Sequence, residues 1–448
     1  MNYLPQPFLQ RIKNQLGETE TAQFVESLGH PATVSVRRNP YKPAPLAYSG
    51  RPIPWCEDGL YLDNRPEFIF DPLWHAGAYY VQEPSSMLLD RVVRQSLDIR
   101  QPLSVLDLCA APGGKATLLA ALLSPESVLV ANDAIRSRVA PLTENLIRWG
   151  NPNVLVSNHD PEELAPVFAS SFDLVVVDAP CSGEGLFRKD ARATTEWSVE
   201  NTAICAARQT RILEAAQQMV ADGGFLFYST CTYNPLENDA QIRVVLETGG
   251  WETVSIALPP EWGIAGTEQG WQCWSHRCEG EGFYFSLLRR TGCRQTPWGQ
   301  TARSVPSTTA AEEPYLEHRD RFARYTDRRG NTYLAPHPLM ATLERAEKLL
   351  PRIRPLLRAS EVKGKEIVPI HEQALSLARS AELPQIVLDR ESAVRYLRKD
   401  PFDLPEGTPN GWTLATYAGL GLGWLKVMPG RINNYLPTEW RIRKLPNG

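Results

Sequence analysis

The 448-residue sequence lacks long apolar runs, contains few cysteines and shows no large excess of either charge. No run approaches the roughly 18 apolar residues that a membrane-spanning helix needs. The N-terminus (MNYLPQPFLQRIKNQLG) contains no apolar signal-peptide segment. Eight cysteines are too few for a disulfide scaffold in a chain of this length. We therefore expect a cytoplasmic protein with no membrane association, whose cysteines are free thiols.

The composition is that of a globular protein, with 43% hydrophobic and 22% charged residues. The net charge of −4 is unevenly spread: 22 basic and 15 acidic residues lie from Pro314 to Gly448, whereas 25 basic and 36 acidic residues precede them. The change coincides with a polar stretch, Gly292–Pro314, that has neither helical nor strand periodicity. We interpret this stretch as a linker between an acidic body and a basic tail.

Apolar runs alternate with helical patterns through the acidic body. Short continuous apolar runs separated by helices are typical of a parallel sheet covered on both faces. The body is thus expected to be α/β, with a doubly wound, Rossmann-like sheet. We predict strands at Ser104–Cys109, Ser127–Asp133, Asn153–Asn158, Asp173–Pro180, Phe225–Thr230 and Gly282–Arg290, and helices at Lys115–Leu123, Arg136–Trp149 and Thr202–Ala221.

The segments on either side of this body are less regular. Pro7–Leu16 and Glu18–Leu28 have amphipathic helical patterns. In the tail, Pro338–Ala359 is predicted as a helix interrupted by two prolines, and short apolar strands with glycine turns follow it. A small β-rich or α+β module is therefore expected at the C-terminal end.

A glycine-rich loop, LDLCAAPGGK (Leu106–Lys115), follows the first strand of the body and opens a helix. Ligands of doubly wound sheets bind at the carboxyl ends of the strands, where glycines let the backbone approach them. The loop matches neither the GxxxxGK[ST] nor the GxGxxG pattern, which disfavours a nucleotide triphosphate or dinucleotide. Asp133 ends the second strand and suits a ribose diol, or alternatively caps a helix that begins at Ala134.

Two polar turns each place a cysteine at this same edge of the sheet. DAPCSGEG (Asp178–Gly185) ends the fourth strand and STCTYNPLEND (Ser229–Asp239) ends the fifth. These strands are expected to be neighbours, so Cys181 and Cys231 should face one crevice. A thiolate adds readily to an electron-poor ring carbon, which makes this pair a candidate for nucleophilic catalysis. Buried packing is the favoured interpretation for Cys56, Cys109, Cys205 and Cys293.

In this order and spacing, the glycine-rich loop, the DAPCSG turn and the TCTY turn resemble the S-adenosylmethionine-dependent RNA (cytosine-5)-methyltransferases of the NSUN/RsmF type. Further matches are SVRRNPYK (Ser35–Lys42), AGAYYVQEPSSMLL (Ala76–Leu89) and GEGFYFSLLRR (Gly280–Arg290). In the tail, EVKGKEIVPIHEQALSLA and NYLPTEWRIRK resemble the pre-PUA and PUA-like region of the RsmF branch. The resemblance implies methylation of a cytosine at C5 in RNA, and the tail favours small-subunit (16S) ribosomal RNA.

The resemblance assigns Cys231 as the nucleophile, Cys181 to product release and Asp178 to the ring edge of the cytosine near N3. It also implies S-adenosylmethionine as the cofactor. Its contacts are assigned to Cys109, Ala110, Ala111, Pro112, Gly113, Gly114, Lys115, Asp133, Arg138, Asp160 and Asp178. Asp160 could equally cap the helix that begins at PEEL, and Lys115 could equally be a solvated helix start.

RNA binding is expected from basic groups, because these contact phosphates without reading sequence. The candidates are Arg37, Arg38, Lys115, Arg431, Arg441 and Arg443. The tail aromatics could stack on bases but are more often core residues. We divide the chain into an N-terminal RNA-binding extension (1–100), a catalytic domain (101–291), the linker (292–314), a pre-PUA-like region (315–385) and a PUA-like RNA-binding domain (386–448).

Other functions are consistent with parts of the sequence. A transfer-RNA cytosine-5 methyltransferase would share the chemistry, and a DNA cytosine methyltransferase would use the cysteine of the PC turn as its nucleophile. A catalytically silent ribosome assembly factor would not need the complete set of catalytic residues found here. CWSHRC (Cys273–Cys278) resembles a zinc cluster but offers only three close ligands, so no metal is expected. We expect an RNA partner and a monomer.

Overall fold

The structure of the protein is a computed structural model, which describes residues 4–292, 313–405 and 407–444. Cys293 and nearly all of the predicted linker, Gly292–Pro314, lie outside the described residues. No helix of the described residues is long and apolar enough to cross a membrane.

The body begins with an irregular N-terminal part whose four short strands form a sheet in the order β2-β3-β1-β4. The predicted helical patterns on either side of Gly17 are confirmed, since α1 is broken there by a glycine with φ of 77°. The elements are α1 (Gln6–Ser27), β1 (Val34–Arg38), β2 (Gly50–Ile53), β3 (Cys56–Leu62), α2 (Pro72–Ala76), β4 (Tyr79–Val81) and α3 (Leu88–Ser96).

The middle part of the chain is a large mixed sheet with helices on its faces. Its elements are β5 (Ser104–Asp107), α4 (Gly114–Leu122), β6 (Val128–Asn132), α5 (Arg136–Trp149), β7 (Val154–Ser157), α6 (Pro161–Leu164), β8 (Phe172–Asp178), α7 (Ala191–Glu196), α8 (Val199–Met219), β9 (Val220–Thr230), α9 (Asp239–Glu247), β10 (Trp251–Thr253), β11 (Ala265–Gly266), β12 (Trp271–Cys273) and β13 (Phe283–Arg290). In the order β9-β8-β5-β6-β7 all neighbouring strands are parallel. The chain fills one side of β5 with β6 and β7 and then the other side with β8 and β9. The doubly wound core predicted from the sequence is confirmed.

All six predicted strands form, but the sixth differs in direction. Strand β13 pairs with β9 in the antiparallel sense, with Tyr284 opposite Thr230 and Arg289 opposite Phe225. An apolar run reports burial on both faces and carries no information about strand direction. The parallel direction expected for this sixth strand was therefore wrong.

The tail begins with a hairpin and ends in a four-stranded sheet ordered β19-β20-β21-β22. Its elements are β14 (Phe322–Thr326), β15 (Thr332–Pro336), α10 (His337–Ala346), β16 (Arg354–Pro355), β17 (Glu361–Lys363), β18 (Glu366–Val368), α11 (His371–Leu375), β19 (Gln385–Val387), α12 (Arg390–Arg398), β20 (Gly411–Tyr417), β21 (Leu420–Met428) and β22 (Arg431–Asn434). The predicted C-terminal β-rich module is confirmed.

The predicted helix over Pro338–Ala359 ends early. Helix α10 ends at Ala346, and Arg354 and Pro355 instead form β16, which pairs with β7 at the edge of the main sheet. Proline lacks the N–H that a helix needs and is tolerated on edge strands, which explains both changes.

The start of the tail is therefore part of the body's fold. Ala323, Leu339 and Leu343 are buried in the same apolar cluster as residues of the central strands. The buried Lys42 ammonium donates hydrogen bonds to the carbonyl oxygens of Ala76 (3.0 Å), Arg148 (2.7 Å) and Leu375 (2.6 Å). These three carbonyls belong to the N-terminal part, the middle part and the tail, so one side chain joins all three.

Candidate active site

Three loops meet at the carboxyl edge of the main sheet, where the strand order reverses between β5 and β8. The glycine-rich loop follows β5, and the two cysteine turns follow β8 and β9. Strands β8 and β9 are parallel neighbours, with Asp178 opposite Ser229 at their ends. The sequence prediction that both turns face one crevice is confirmed by this pairing.

The two cysteines of these turns are in contact. The Sγ atoms of Cys181 and Cys231 lie 3.2 Å apart, and both side chains are half-buried. The hydrogen bond with Cys231, and then burial, raise the pKa of the Cys181 thiol well above its ordinary value. Cys181 therefore remains a protonated thiol at neutral pH and is able to donate to the sulfur of Cys231.

A fully buried glutamate, Glu237, links the two turns to each other. Its carboxylate accepts hydrogen bonds from the backbone N–H of Ser182 (2.8 Å) and from the side-chain amide of Gln209 (3.0 Å). The hydroxyls of Ser182 and Thr232 lie 3.0 Å apart, and the Gly185 N–H donates to the Cys231 carbonyl at 2.8 Å. The residues that follow each cysteine are thus hydrogen-bonded across the crevice.

Asp178 and Lys115 form an ion pair beside the cysteines. The Lys115 Nζ lies 2.8 Å from Asp178 Oδ2, and the Ser229 hydroxyl donates to Asp178 Oδ1 at 2.8 Å. The Lys115 ammonium also lies 5.0 Å from the centre of the Phe283 ring. Lys115 is only 7% exposed, so the alternative of a solvated helix start is wrong.

Sequence reasoning missed Asp107, which ends β5 beneath the glycine-rich loop. Its side chain is completely buried, and both carboxylate oxygens lack a hydrogen-bond partner among the described residues. Burial raises the pKa of this carboxyl to about 8, against the opposing effect of Lys115. A usable signal was its position as the first acidic residue at the end of an apolar strand.

Of the predicted cofactor residues, Cys109 to Gly113 lie on the loop between β5 and α4, and Gly114 and Lys115 are the first residues of α4. Gly113 has φ of 116°, a conformation that favours glycine, and α4 begins at Gly114. Burial raises the pKa of the Cys109 thiol, which fits its interpretation as a packed residue. Ala110 donates its N–H to the Asn132 carbonyl at 2.7 Å, which holds the loop against the end of β6.

Asp133 and Arg138 hold the same loop from the end of β6. The Asp133 carboxylate accepts from the N–H groups of Ala111 (3.3 Å) and Ile135 (2.9 Å) and lies 3.3 Å from an Arg138 nitrogen. Arg138 also donates to the Ala111 carbonyl at 2.5 Å. Helix α5 begins at Arg136, not at Ala134, so Asp133 is not the N-cap of that helix.

Asp160 is exposed and occupies the N-cap position of α6. Its backbone N–H donates to the Glu163 carboxylate at 2.9 Å, as expected for the capping alternative. The side chain that reaches the Asp133 segment is instead Asn158, which donates to the Asp133 carbonyl at 2.8 Å. Asn158 is a second residue that sequence reasoning missed.

The arginines predicted to contact RNA differ in their exposure to solvent. Arg37 is a correction: it is buried, it donates to Gln82 (2.9 Å) and Thr117 (2.6 Å), and it cannot reach RNA from that position. Strand β1 is buried at Ser35, Val36 and Arg37 in succession, a pattern that its sequence SVRR does not indicate. The exposed candidates are Arg38, Arg431, Arg441 and Arg443.

The CWSHRC segment does not form a metal cluster among the described residues, which contain no group of three or more His, Cys, Asp and Glu side chains suited to a metal ion. Cys273 and Cys278 are buried. The His276 Nε2 lies 2.9 Å from a Glu20 carboxylate oxygen on α1.

Three protein-family models match this chain. Residues 94–289 match "16S rRNA methyltransferase RsmB/F", residues 4–84 match "N-terminal domain of 16S rRNA methyltransferase RsmF", and residues 384–442 match "Methyltransferase RsmF PUA domain".

Full-length relatives and solved structures agree with these matches. The chain is 30% identical to the ribosomal RNA small subunit methyltransferase F of Aeromonas salmonicida, covering 98% of this chain and 97% of that one. The Vibrio cholerae protein of the same name is also 30% identical, with 97% of each covered. A methyltransferase homologue from Pyrococcus horikoshii superposes with a TM-score of 0.53 at 25% identity, over 64% of this chain and 100% of that one. NSun6 from the same organism gives 0.55 at 18% identity, over 64% and 99%, a likeness of fold. This chain belongs to the ribosomal RNA small subunit methyltransferase F family.

Proposed function

We propose that this protein transfers a methyl group from S-adenosylmethionine to C5 of a specific cytosine in small-subunit (16S) ribosomal RNA. The observation that carries the proposal is the contact between the sulfurs of Cys181 and Cys231, 3.2 Å apart at the carboxyl edge of a methyltransferase sheet. Family membership supports ribosomal RNA as the substrate, since the relatives are named for it.

The residues at the sheet edge fit S-adenosylmethionine. The cofactor carries a positively charged sulfonium and an ammonium, and the Asp107 carboxyl is buried there without a hydrogen-bond partner among the described residues. We assign Asp133 to the ribose diol of the cofactor, and Lys115 and the loop N–H groups to its carboxylate. When bound, the cofactor supplies an electrophilic methyl group.

Cys231 acts first in the proposed chemistry. Its thiolate adds to C6 of the cytosine, and the ring electrons shift so that C5 becomes nucleophilic. After C5 has accepted the methyl group, a base removes the C5 proton and the C6–sulfur bond breaks, which returns the thiolate. The Cys181 thiol, hydrogen-bonded to this sulfur, is assigned to the release step.

Asp178 and Lys115 are assigned to the cytosine ring. Asp178 is 39% exposed in its side chain and faces the crevice, where it can hydrogen-bond the ring edge near N3. Its ion pair with Lys115 and its hydrogen bond from Ser229 fix the carboxylate before substrate arrives. The target base must be unpaired or extruded, because C5 and C6 have to meet the methyl donor and the thiolate from opposite sides of the ring.

The remaining assignments concern the partner and the setting. We propose the division into five segments that the sequence predicts. Arg38, Arg431, Arg441 and Arg443 are proposed phosphate contacts, and Arg37 is withdrawn. We propose that the protein is a cytoplasmic monomer without membrane association, and Asp160 stays a predicted cofactor contact in addition to its position as a helix cap.

A transfer-RNA methyltransferase and a silent assembly factor remain the alternative functions. The deciding experiment measures methyl transfer from labelled S-adenosylmethionine to 16S ribosomal RNA, to assembled small subunits and to transfer RNA, followed by bisulfite mapping. We expect 5-methylcytosine in 16S ribosomal RNA only. Methylation of transfer RNA alone would replace the proposed substrate, and cofactor binding with no transfer to any RNA would indicate an assembly factor.

The same assay tests the nucleophile with the variant Cys231→Ala. The control is Cys56→Ala, which removes a buried cysteine outside the site. Cys231→Ala should abolish transfer and leave cofactor binding within about twofold, since the thiolate is needed only for chemistry. Activity that survives Cys231→Ala would move the nucleophile to Cys181.

A further inference from the structure

Glu184, in the turn that follows Cys181, is a completely buried carboxylate bonded to three separate parts of the chain. It forms an ion pair with Arg11 of helix α1. It also accepts from the Trp197 indole N–H at 2.9 Å and from the backbone N–H of Tyr233 at 3.1 Å. Tyr233 lies two residues after Cys231, so the carboxylate joins both cysteine turns to the N-terminal helix.

The same helix holds the other side of the Tyr233 backbone. A second nitrogen of Arg11 and the side-chain amide of Gln15 each donate to the Tyr233 carbonyl at 3.1 Å. The neighbouring Gly185 N–H donates to the Cys231 carbonyl at 2.8 Å. The backbone of the nucleophile turn is therefore fixed at Cys231 and at both polar groups of Tyr233.

Apolar contacts dock the helix in this position. Phe8 and Phe24 are fully buried. The Phe8 ring lies 5.0 Å from that of Phe187, and the Phe24 ring lies 5.0 Å from that of Tyr233, both edge-on. Each ring on the helix thus packs against a residue close to one of the two catalytic cysteines.

From these contacts we propose that Arg11 and Glu184 are a positioning pair for the nucleophile Cys231, which makes helix α1 part of the catalytic machinery and not only an RNA-binding extension. The inference rests on the proposed function for its kinetic consequence. A buried carboxylate that loses its cation is an uncompensated charge, so the turns must rearrange to solvate it. Small displacements of a reacting group cost large factors in rate.

The first test compares Arg11→Met, Arg11→Lys and Glu184→Gln in the full-length protein. The control is Lys13→Met on the same helix, because Lys13 forms only a solvent-exposed pair with Glu18. Arg11→Met should lower kcat about 10- to 100-fold while KM for RNA and cofactor affinity change little. Arg11→Lys should retain part of the rate, since it keeps the charge. Lys13→Met should behave as wild type.

The charge itself is tested by combining the substitutions. Glu184→Gln removes the charge that Arg11 neutralises and keeps one acceptor oxygen, so either the Trp197 indole or the Tyr233 N–H loses its acceptor. The double variant Arg11→Met with Glu184→Gln should therefore lose less activity than the two single losses multiplied together. Multiplicative losses would contradict a coupled pair.

A second measurement requires neither RNA nor cofactor. The rate at which iodoacetamide alkylates Cys231, mapped by peptide mass in a Cys181→Ser background, reports how tightly the turn is held. We expect Arg11→Met to raise this rate several-fold and Lys13→Met to leave it unchanged. If the wild-type protein methylates no RNA, the proposed function fails, yet this measurement still decides whether the pair positions Cys231.

Three results would overturn the inference. One is an unchanged kcat and alkylation rate in Arg11→Met. Another is a salt-dependent rise in KM for RNA at constant kcat, which would make Arg11 an RNA contact. The third applies if Arg11→Met does not fold: wild-type kcat and alkylation rates in both Arg11→Lys and Glu184→Gln would then show that the pair is structural only.

Discussion

The sulfur atoms of Cys181 and Cys231 lie 3.2 Å apart although fifty residues separate them in the chain. The parallel pairing of β8 with β9 brings their turns together. Hydrogen bonds from the Ser182 N–H to Glu237 and from the Gly185 N–H to Cys231 hold them there.

Cys181→Ala should trap a covalent complex between the protein and its RNA. The substitution leaves Cys231 able to add to C6 but removes the thiol assigned to release. A denaturing gel should show an adduct that depends on both substrate RNA and S-adenosylmethionine, and Cys181→Ala with Cys231→Ala should show none. Normal turnover by Cys181→Ala, without an adduct, would contradict this division of roles.

Mild oxidation should link the same two cysteines. Hydrogen peroxide takes two electrons and two protons from the pair, which yields one disulfide and two molecules of water. Activity should fall and return with dithiothreitol, and intact mass should show the loss of two hydrogen atoms. Cys181→Ser provides the control that cannot form this bond. Peptide mapping that finds a different linkage would refute the prediction.

Asp107→Asn should change how stability depends on pH. Burial raises the pKa of Asp107 to about 8 in the folded protein, whereas the unfolded chain releases this proton at about pH 4. The wild-type protein therefore loses stability as pH rises through this window, by at most about 1.4 kcal/mol per pH unit. Asparagine cannot ionise, so the variant should gain stability relative to wild type from about pH 5 to pH 8. Urea unfolding at several pH values measures this, and a constant difference would mean that folded Asp107 is already charged.

Replacing Arg431, Arg441 and Arg443 by glutamine should weaken RNA binding in a salt-dependent way. These guanidinium groups are exposed and form no ion pair among the described residues, so each is available to a phosphate. The slope of log affinity against log salt should decrease by about 0.7 for each lost contact to single-stranded RNA. The control replaces three exposed arginines that do have acidic partners, Arg100, Arg243 and Arg289. Equal slopes for the two triple variants would exclude these residues as phosphate contacts.

Point substitutions are preferable to removal of the tail after Glu313. Ala323 and Leu339 are buried against the central sheet, and β16 covers the β7 edge. A truncated chain would therefore expose apolar surface and an unpaired strand. Its loss of RNA binding would not separate a binding defect from a folding defect.

The sequence by itself determined the strands of the body and the placement of both cysteines at one sheet edge. It also determined the division of charge between an acidic body and a basic tail. These features depend on local patterns, because a buried strand must be apolar and the turn after it carries the polar chemistry. The break of α1 at Gly17 and the end of α10 before Pro351 also follow from local backbone preferences, although the end of α10 was predicted too far along the chain.

Only the tertiary structure decided the strand directions and the partners of charged groups. The sequence pattern does not indicate that β13 runs antiparallel to β9. It also does not indicate that Arg37 is buried while Arg38 is exposed. The pair of Arg11 with Glu184 joins residues 173 positions apart. The physical reason is that a sequence pattern reports local preferences for helix, strand and turn, whereas the burial of a charged side chain and the group it meets depend on how distant segments pack.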